Sequence, residues 1–315
     1  MSGKKRVIVP TLERKIHFYR SRVGVDGGGR PLPFDPTPAL TVIGTMPFAD
    51  GASSRYLLGD DGNAICAWPE NGGLRTALRF CQIRRIGLPQ LEQGGTVSDL
   101  NIAANAGLLE AVHVVFFANN IVGADFNFHG PRLSRLGYYL RLKSGNAVPL
   151  AAFEPLLRQD VAEQLDHLTE LRLLDLKIRS SYRATVRQAD NSLADAFDAT
   201  DKVLNGDMEE LEIVLKPASD RRHGALQRLL GPLKALARGS DLRENTSRFQ
   251  VRGKCDGTGS VETIDLLHDQ LIARKQMMRL GERSRAINAE SAFAAIEAAH
   301  AELVDDLRQA ASISP

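Results

Sequence analysis

At 315 residues, with 43% hydrophobic and 25% charged content, the chain has the make-up of a folded globular protein, which excludes bulk disorder and admits one large core or two domains. Forty Lys and Arg against thirty-eight Asp and Glu leave a formal charge of +2, so total charge does not mark a nucleic-acid binder and any basic surface has to be local. Cys66, Cys81 and Cys255 are odd in number and lack a close pair, which argues against a disulfide framework or a structural zinc site and fits a reducing cytoplasm.

The apolar run Val7-Ile8-Val9 after Lys4, Lys5 and Arg6 is too short for a signal-peptide core, and no stretch approaches the roughly 18 apolar residues of a membrane span. The expectation is therefore a soluble cytoplasmic protein with no membrane partner. Lys15–Val25 alternates as a first strand and is broken by the loop Asp26-Gly27-Gly28-Gly29-Arg30-Pro31-Leu32-Pro33. Arg55–Leu58 and Ala64–Trp68 flank the turn-rich Gly59-Asp60-Asp61-Gly62-Asn63, which predicts a hairpin, and Thr76–Ile86 predicts a further strand. Arg79, Arg84 and Arg85 on it, like Arg221-Arg222-His223 later, are basic spots that either contact phosphates or serve solubility.

Asn119-Asn120 lies between two apolar runs, and asparagine tolerates the positive φ of a two-residue type I′ turn. Val112–Ala118 and Ile121–Phe128 are thus predicted to pair antiparallel, with Phe117 opposite Val122, Val115 opposite Ala124 and His113 opposite Phe126. Both faces are apolar, which predicts a central hairpin covered on two sides. Gly130-Pro131 then ends the strand and opens a helix over about Pro131–Lys143. Leu133, Leu136 and Leu140 make its core stripe, while Arg132, Arg135, Tyr139 and Lys143 recur along another.

Unpaired amides and the positive dipole end of such a helix favour an anion, and arginine forks match phosphate or carboxylate geometry. In the functional reading Arg132 and Arg135 are anion clamps, Tyr139 is a stacking surface, and Asn127 and His129 are supporting donors. In the plain reading the arginines are a solvated face, Asn127 closes a turn and His129 is an ordinary loop histidine. The window Phe-Asn-x-x-Gly-Pro-Arg over 126–132, with the Tyr-rich helix after it, resembles uncharacterised proteins of bacterial anti-phage defence loci. That resemblance implies a defence component and carries no catalytic position across.

Composition shifts near Val148. Val161–Leu168 predicts a helix, Leu171–Ile178 a strand, and Ser192–Leu204 an amphipathic helix capped by Ser192 with Asp195 as partner. Leu211–Leu215 reads as a short strand, and Val261–Arg279 fits either a helix or one long strand. Ser291–Ala311 is the clearest helix, with Phe293, Ile296, Leu303 and Leu307 near one side, able to dock a protein partner or a second copy. On the strand at 171–178, Asp175-Leu176-Lys177 puts a carboxylate and an ammonium on one face, as a metal-dependent nuclease needs. Glu212 is the nearest further acid, and Mg²⁺ or Mn²⁺ would be the cofactor; the plain alternative is a surface ion pair. No pair among the seven histidines has ligand spacing.

The fold expectation is α+β: a mostly antiparallel β half over 1–147 with a central hairpin-helix unit, then a mixed α/β half over 148–315 ending in a long helix. The functional expectation is a binding or regulatory protein engaging a phosphate-bearing partner, nucleic acid or nucleotide, through the basic helix start. A metal-dependent nuclease and a non-catalytic structural subunit of a complex are the alternatives.

Overall fold

The computed structural model describes residues 10–27, 32–48, 53–70, 75–103, 105–158, 164–204, 208–217, 226–238, 245–256, 261–267 and 270–312. Helices accompany antiparallel sheets in an α+β arrangement, and the chain divides into two compact units. Unit 1 joins Met1–Phe153 to Ile272–Val304, and unit 2 joins Glu154–Leu271 to Asp305–Pro315. The expected boundary near 147 lies close to the first crossing. The second half is not one contiguous domain, however, because Ile272–Val304 belongs to unit 1.

In unit 1 the strands are β1 (Thr11–Arg22), β2 (Leu57–Leu58), β3 (Ala64–Pro69), β4 (Thr76–Arg84), β5 (Gln90–Gln93), β6 (Thr96–Asp99), β7 (Leu108–Phe116) and β8 (Ile121–Asp125). The chain then passes through β9 (Ala152–Pro155) and returns to this unit as β14 (Ile272–Met278). The main sheet runs β14-β1-β8-β7-β4-β3-β2, and β5 and β6 form a separate hairpin. Val112–Val115 and Ile121–Asp125 are buried without a break, the signature of a hairpin covered on both faces. On one face α1 (Thr37–Thr45) and α2 (Ser134–Lys143) bring Leu40, Ile43, Leu136 and Leu140 against Ile65, Leu78, Phe80, Val114 and Val122. Each buried leucine contributes on the order of 1.5–3 kcal/mol by leaving water. On the other face Phe293 meets the His113 ring edge-on at 5.4 Å, and a Cβ at Gly123 would come within 2.7 Å of Ile296.

Asn119 and Asn120 both take φ of 60°, as the turn requires. The register nonetheless differs by one residue from the expected one: Phe116 faces Val122 and Val114 faces Ala124. Phe117 N–H donates to Ile121 O at 2.8 Å, which leaves Ala118 out of the ladder as a bulge. A one-residue slip exchanges faces, so His113 meets Asp125 rather than Phe126. The His113 N–H donates to Asp125 Oδ1 at 2.5 Å, and the ring nitrogen lies 3.3 Å from the same oxygen.

Unit 2 contains β10 (Leu168–Arg179), β11 (Glu210–Leu215), β12 (Thr246–Cys255) and β13 (Val261–Asp265) in the antiparallel order β11-β10-β12-β13. Leu174, Leu176 and Ile178 of β10 are buried with Phe249, Val251 and Ile264 in one core. Val186 of α3 (Arg183–Ala189), Phe197 of α4 (Asn191–Val203) and Leu233 of α5 (Leu230–Ala237) complete it. Asp190, not Ser192, caps α4: its Oδ1 accepts the Leu193 N–H at 2.8 Å. Asp195 instead faces Arg187 at 3.6 Å.

The ambiguous Val261–Arg279 is strand at both ends, β13 in unit 2 and β14 in unit 1. The long last helix is two: α6 (Ala289–Glu302), capped by Asn288, then α7 (Val304–Ser312). The expected helix over 161–168 is described as helical at 164–166; residues 161–163 and 221–223 lie outside the described residues.

Candidate anion-binding pocket

Beyond β8 the segment 126–129 continues alongside the start of β1, where Phe126 N–H donates to Lys15 O at 2.7 Å. Asn127 then turns the chain. Its Oδ1 accepts the His129 N–H at 3.2 Å, and Gly130 N–H donates to Asn127 O at 3.0 Å. Asn127 Nδ2 donates to Glu110 Oε2 at 3.2 Å and to Ala111 O at 3.0 Å. Asn127 is buried and builds the wall rather than offering a donor, which corrects its expected role.

A cavity of about 410 Å³ opens in front of this turn. Arg14 and Lys15 of β1, Arg274 of β14 and Arg285 line it together with His129 and the rings of Phe126 and Phe128. The acid on its lining is Glu13. Register sets Lys15 directly opposite Arg274 on one face of the sheet and Arg14 opposite Lys275 on the other. Like charges in facing positions destabilise a strand pair unless an anion lies between them. Glu13 answers Arg274 at 3.0 Å, Glu302 pairs with Lys275, and Glu110 pairs with Arg285. Arg14 is fixed on the wall, its guanidinium donating to Phe126 O at 2.9 Å and to Arg285 O at 3.3 Å. Cations on a concave wall beside exposed aromatic surface suit a ligand carrying both negative charge and a flat apolar part.

The expected helix-start site is distributed differently. Helix α2 begins at Ser134, so Arg132 precedes it. The Arg135 and Leu136 amides already donate to Arg132 O and Leu133 O, both at 3.0 Å, and are closed to an anion. The Arg132 guanidinium lies 5.9 Å above the Phe128 ring, beside the cavity. Arg135 is exposed toward a different neighbour, Asp61. That carboxyl is held below its ordinary value by the Asn63 side chain first, by the Asn63 amide next, and also by the charge of Arg135.

Tyr139 is no stacking surface. It is fully buried, its hydroxyl donating to Arg55 O at 2.8 Å and accepting the Ala67 N–H at 3.0 Å, and burial pushes its phenol pKa upward. Lys143, on the same expected stripe, donates to Ser54 O at 2.7 Å, and burial lowers its pKa. Arg14, Lys15, Arg274 and Arg285 escaped the sequence reading. Their signal was the two doublets Arg14-Lys15 and Arg274-Lys275, meaningful only once β1 and β14 are known to pair.

In unit 2 the register sets Lys177 opposite Glu212 on one side and Arg248 on the other, with Asp175 on the same sheet face. One guanidinium nitrogen of Arg248 lies 2.8 Å from Glu212 and 3.5 Å from Asp175, so a cation of the protein already sits between the two carboxylates. Lys177 reaches past Glu212 to Glu210 at 2.8 Å, which raises the lysine and lowers the glutamate pKa. Among the described residues no group of three or more His, Cys, Asp or Glu side chains is placed to hold a metal ion. Among the described residues, too, no helix is long and apolar enough to cross a membrane. Comparison of the chain with family models, curated proteins and solved structures finds no match.

Proposed function

We propose that the chain is a binding or regulatory protein that takes a phosphate-bearing ligand, a nucleotide or nucleic acid, in the cavity in front of Asn127–His129. The observation that carries this reading is Lys15 facing Arg274 across two paired strands on a cavity wall that also holds Arg14 and Arg285. An anion seated there meets several cationic side chains on one concave wall, where charge-assisted hydrogen bonds are the strong ones. Phe128, 44% exposed, offers a ring to the flat part of such a ligand. A place in anti-phage defence belongs to this proposal through the 126–132 window, whose Asn127 and His129 line the cavity.

The nuclease alternative is disfavoured on chemistry: a divalent ion at Asp175 and Glu212 has to displace the Arg248 guanidinium and then finds two carboxylates where more oxygen ligands are wanted.

Binding is measured by fluorescence anisotropy with mant-labelled ATP and with fluorescein-labelled DNA and RNA oligonucleotides, over roughly 50 to 200 mM salt. Lys15→Glu combined with Arg274→Glu is expected to weaken binding at least about tenfold and to flatten the salt dependence by about two phosphate contacts. The control Arg135→Glu is expected to change little. Wild-type affinity and salt slope in the double variant, or no binding of any probe by the wild type, would remove the reading.

A further inference from the structure

Along β3 and β4 of unit 1, three aromatic rings form a continuous row with a guanidinium group at each end. Phe48 stacks on Trp68 with centroids 5.0 Å apart and meets Tyr56 at 5.8 Å. Arg79 closes one end, 5.6 Å from the Trp68 ring, and Arg85 the other, 5.0 Å from Tyr56. The floor beneath is made of short side chains: Cys66 faces Cys81 in the β3–β4 register, beside Ala64 and Ile83, all buried. Arg55, buried and donating to Gly44 O at 2.7 Å and Met46 O at 3.0 Å, props Phe48 at 4.2 Å.

Two features exceed what roofing that floor requires. Phe48 is 43% exposed, although a ring recruited only for packing would be covered. The Nε groups of Arg79 and Arg85 are buried, and among the described residues neither has a hydrogen-bond partner. Glu70 approaches Arg79 at 3.9 Å, beyond hydrogen-bond reach.

Rings that leave surface open, bounded at both ends by cations, fit a ligand that presents flat faces and anionic groups in alternation. Unpaired nucleobases on a phosphate backbone do so, whereas a duplex hides its base faces. The row also shares an end of the sheet with the cavity. Arg84 closes β4 opposite Leu108 at the start of β7, β7 pairs with β8, and β8 with β1, whose start carries Arg14 and Lys15.

We infer that the Arg79–Trp68–Phe48–Tyr56–Arg85 row is a stacking platform for single-stranded nucleic acid. The inference rests on the phosphate-binding reading and sharpens it by naming the ligand; the platform residues are distinct from the cavity residues.

Trp68 is the one tryptophan in the sequence, so its emission reports directly on the row. Unlabelled single-stranded DNA and RNA oligonucleotides, the matching duplexes and ATP are titrated against the full chain, with binding followed in parallel by anisotropy. Single strands are expected to quench Trp68 over the concentration range in which they bind, while duplex and ATP leave it unchanged. Phe48→Ala with Arg85→Glu is expected to weaken single-strand binding about tenfold and to leave mant-ATP affinity intact. Arg85→Glu alone, which keeps all three rings, is expected to lose part of the single-strand affinity and serves if the double variant fails to fold.

Saturable single-strand binding with unaltered Trp68 emission, or equal quenching by duplex, overturns the platform while the cavity reading survives. Wild-type single-strand affinity in Arg85→Glu and in the folded double variant overturns it as well. Loss of mant-ATP binding in the cavity variant with Trp68 quenching retained supports both sites as separate. Absence of binding by every phosphate-bearing probe removes the cavity reading and the platform together.

Discussion

Two central strands show how differently the two sheets are built. In β7 Val112, His113, Val114 and Val115 are buried in succession, because helices cover both faces of the unit 1 sheet. In β10 Leu174, Leu176 and Ile178 are buried while Asp175, Lys177 and Arg179 between them are half-exposed, because the unit 2 core lies on one face. The contrast decides what a polar side chain can do in each place. Between two covered faces His113 and Asp125 meet with their side chains almost wholly shielded, and a donor or acceptor left alone there costs about 1–3 kcal/mol. On the open face of unit 2 the ion pairs Lys177–Glu210 and Arg248–Glu212 remain in contact with water, which screens them.

The sharpest way to break this comparison is to remove groups from the covered core of unit 1 and from the open face of unit 2 and measure denaturant unfolding. Tyr139→Ala is expected to cost about 3–5 kcal/mol through its cavity. Tyr139→Phe should cost about 1–3 kcal/mol, since the buried Ala67 N–H then loses its acceptor. Lys177→Ala and Glu212→Ala should each cost clearly less than Tyr139→Phe, because water screens their ion pairs. If Lys177→Ala cost as much as Tyr139→Phe, the open face would have to be carrying stability that its solvated ion pairs do not explain.

A smaller effect tests the covered sheet alone. Burial pushes the Cys66 thiol up to about 12 and that of Cys81 well above its ordinary value. In a Cys255→Ser background both thiols are expected to ignore Ellman's reagent at mildly alkaline pH in the folded protein and to react after denaturation. Rapid reaction of the folded protein would show that this part of the sheet opens.

The smallest effect concerns the open face. Glu210 is held below its ordinary carboxylate value, chiefly by Lys177 and then by Ser247, so its folded pKa lies under its unfolded one. Its contribution is therefore complete above the unfolded value and is lost as pH falls through the folded value. Glu210→Gln should flatten the acid limb of a stability–pH profile below about pH 4.3 and leave the neutral region nearly unchanged. An identical acid limb in the variant would mean that the pair adds nothing to folding.

Local chemistry was legible and long-range pairing was not. Asn119-Asn120 announced the turn because few residues accept positive φ, and Leu133, Leu136 and Leu140 announced the buried side of α2. The bulge at Ala118 left no such mark, since alanine fits a ladder or a bulge equally well, and the register slipped with it. Tyr139 misled for a geometric reason: Arg132 lies outside the helix, so the supposed stripe had no common origin, and a tyrosine can bury its ring when its hydroxyl finds partners. Lys15 and Arg274 carry no shared local pattern; their meeting depends on strand pairing across most of the chain.

That pairing has a consequence for synthesis. The unit 2 core is drawn from residues 157–267, whereas unit 1 waits for β14 to emerge and pair along β1 from Thr11 opposite Met278 to His17 opposite Ile272. During translation that core can therefore form while β1 still lacks its partner strand β14, and the basic wall with Arg274 and Arg285 is assembled only afterwards. A nascent chain halted before Ile272 therefore has β1 without that partner strand and has no such wall.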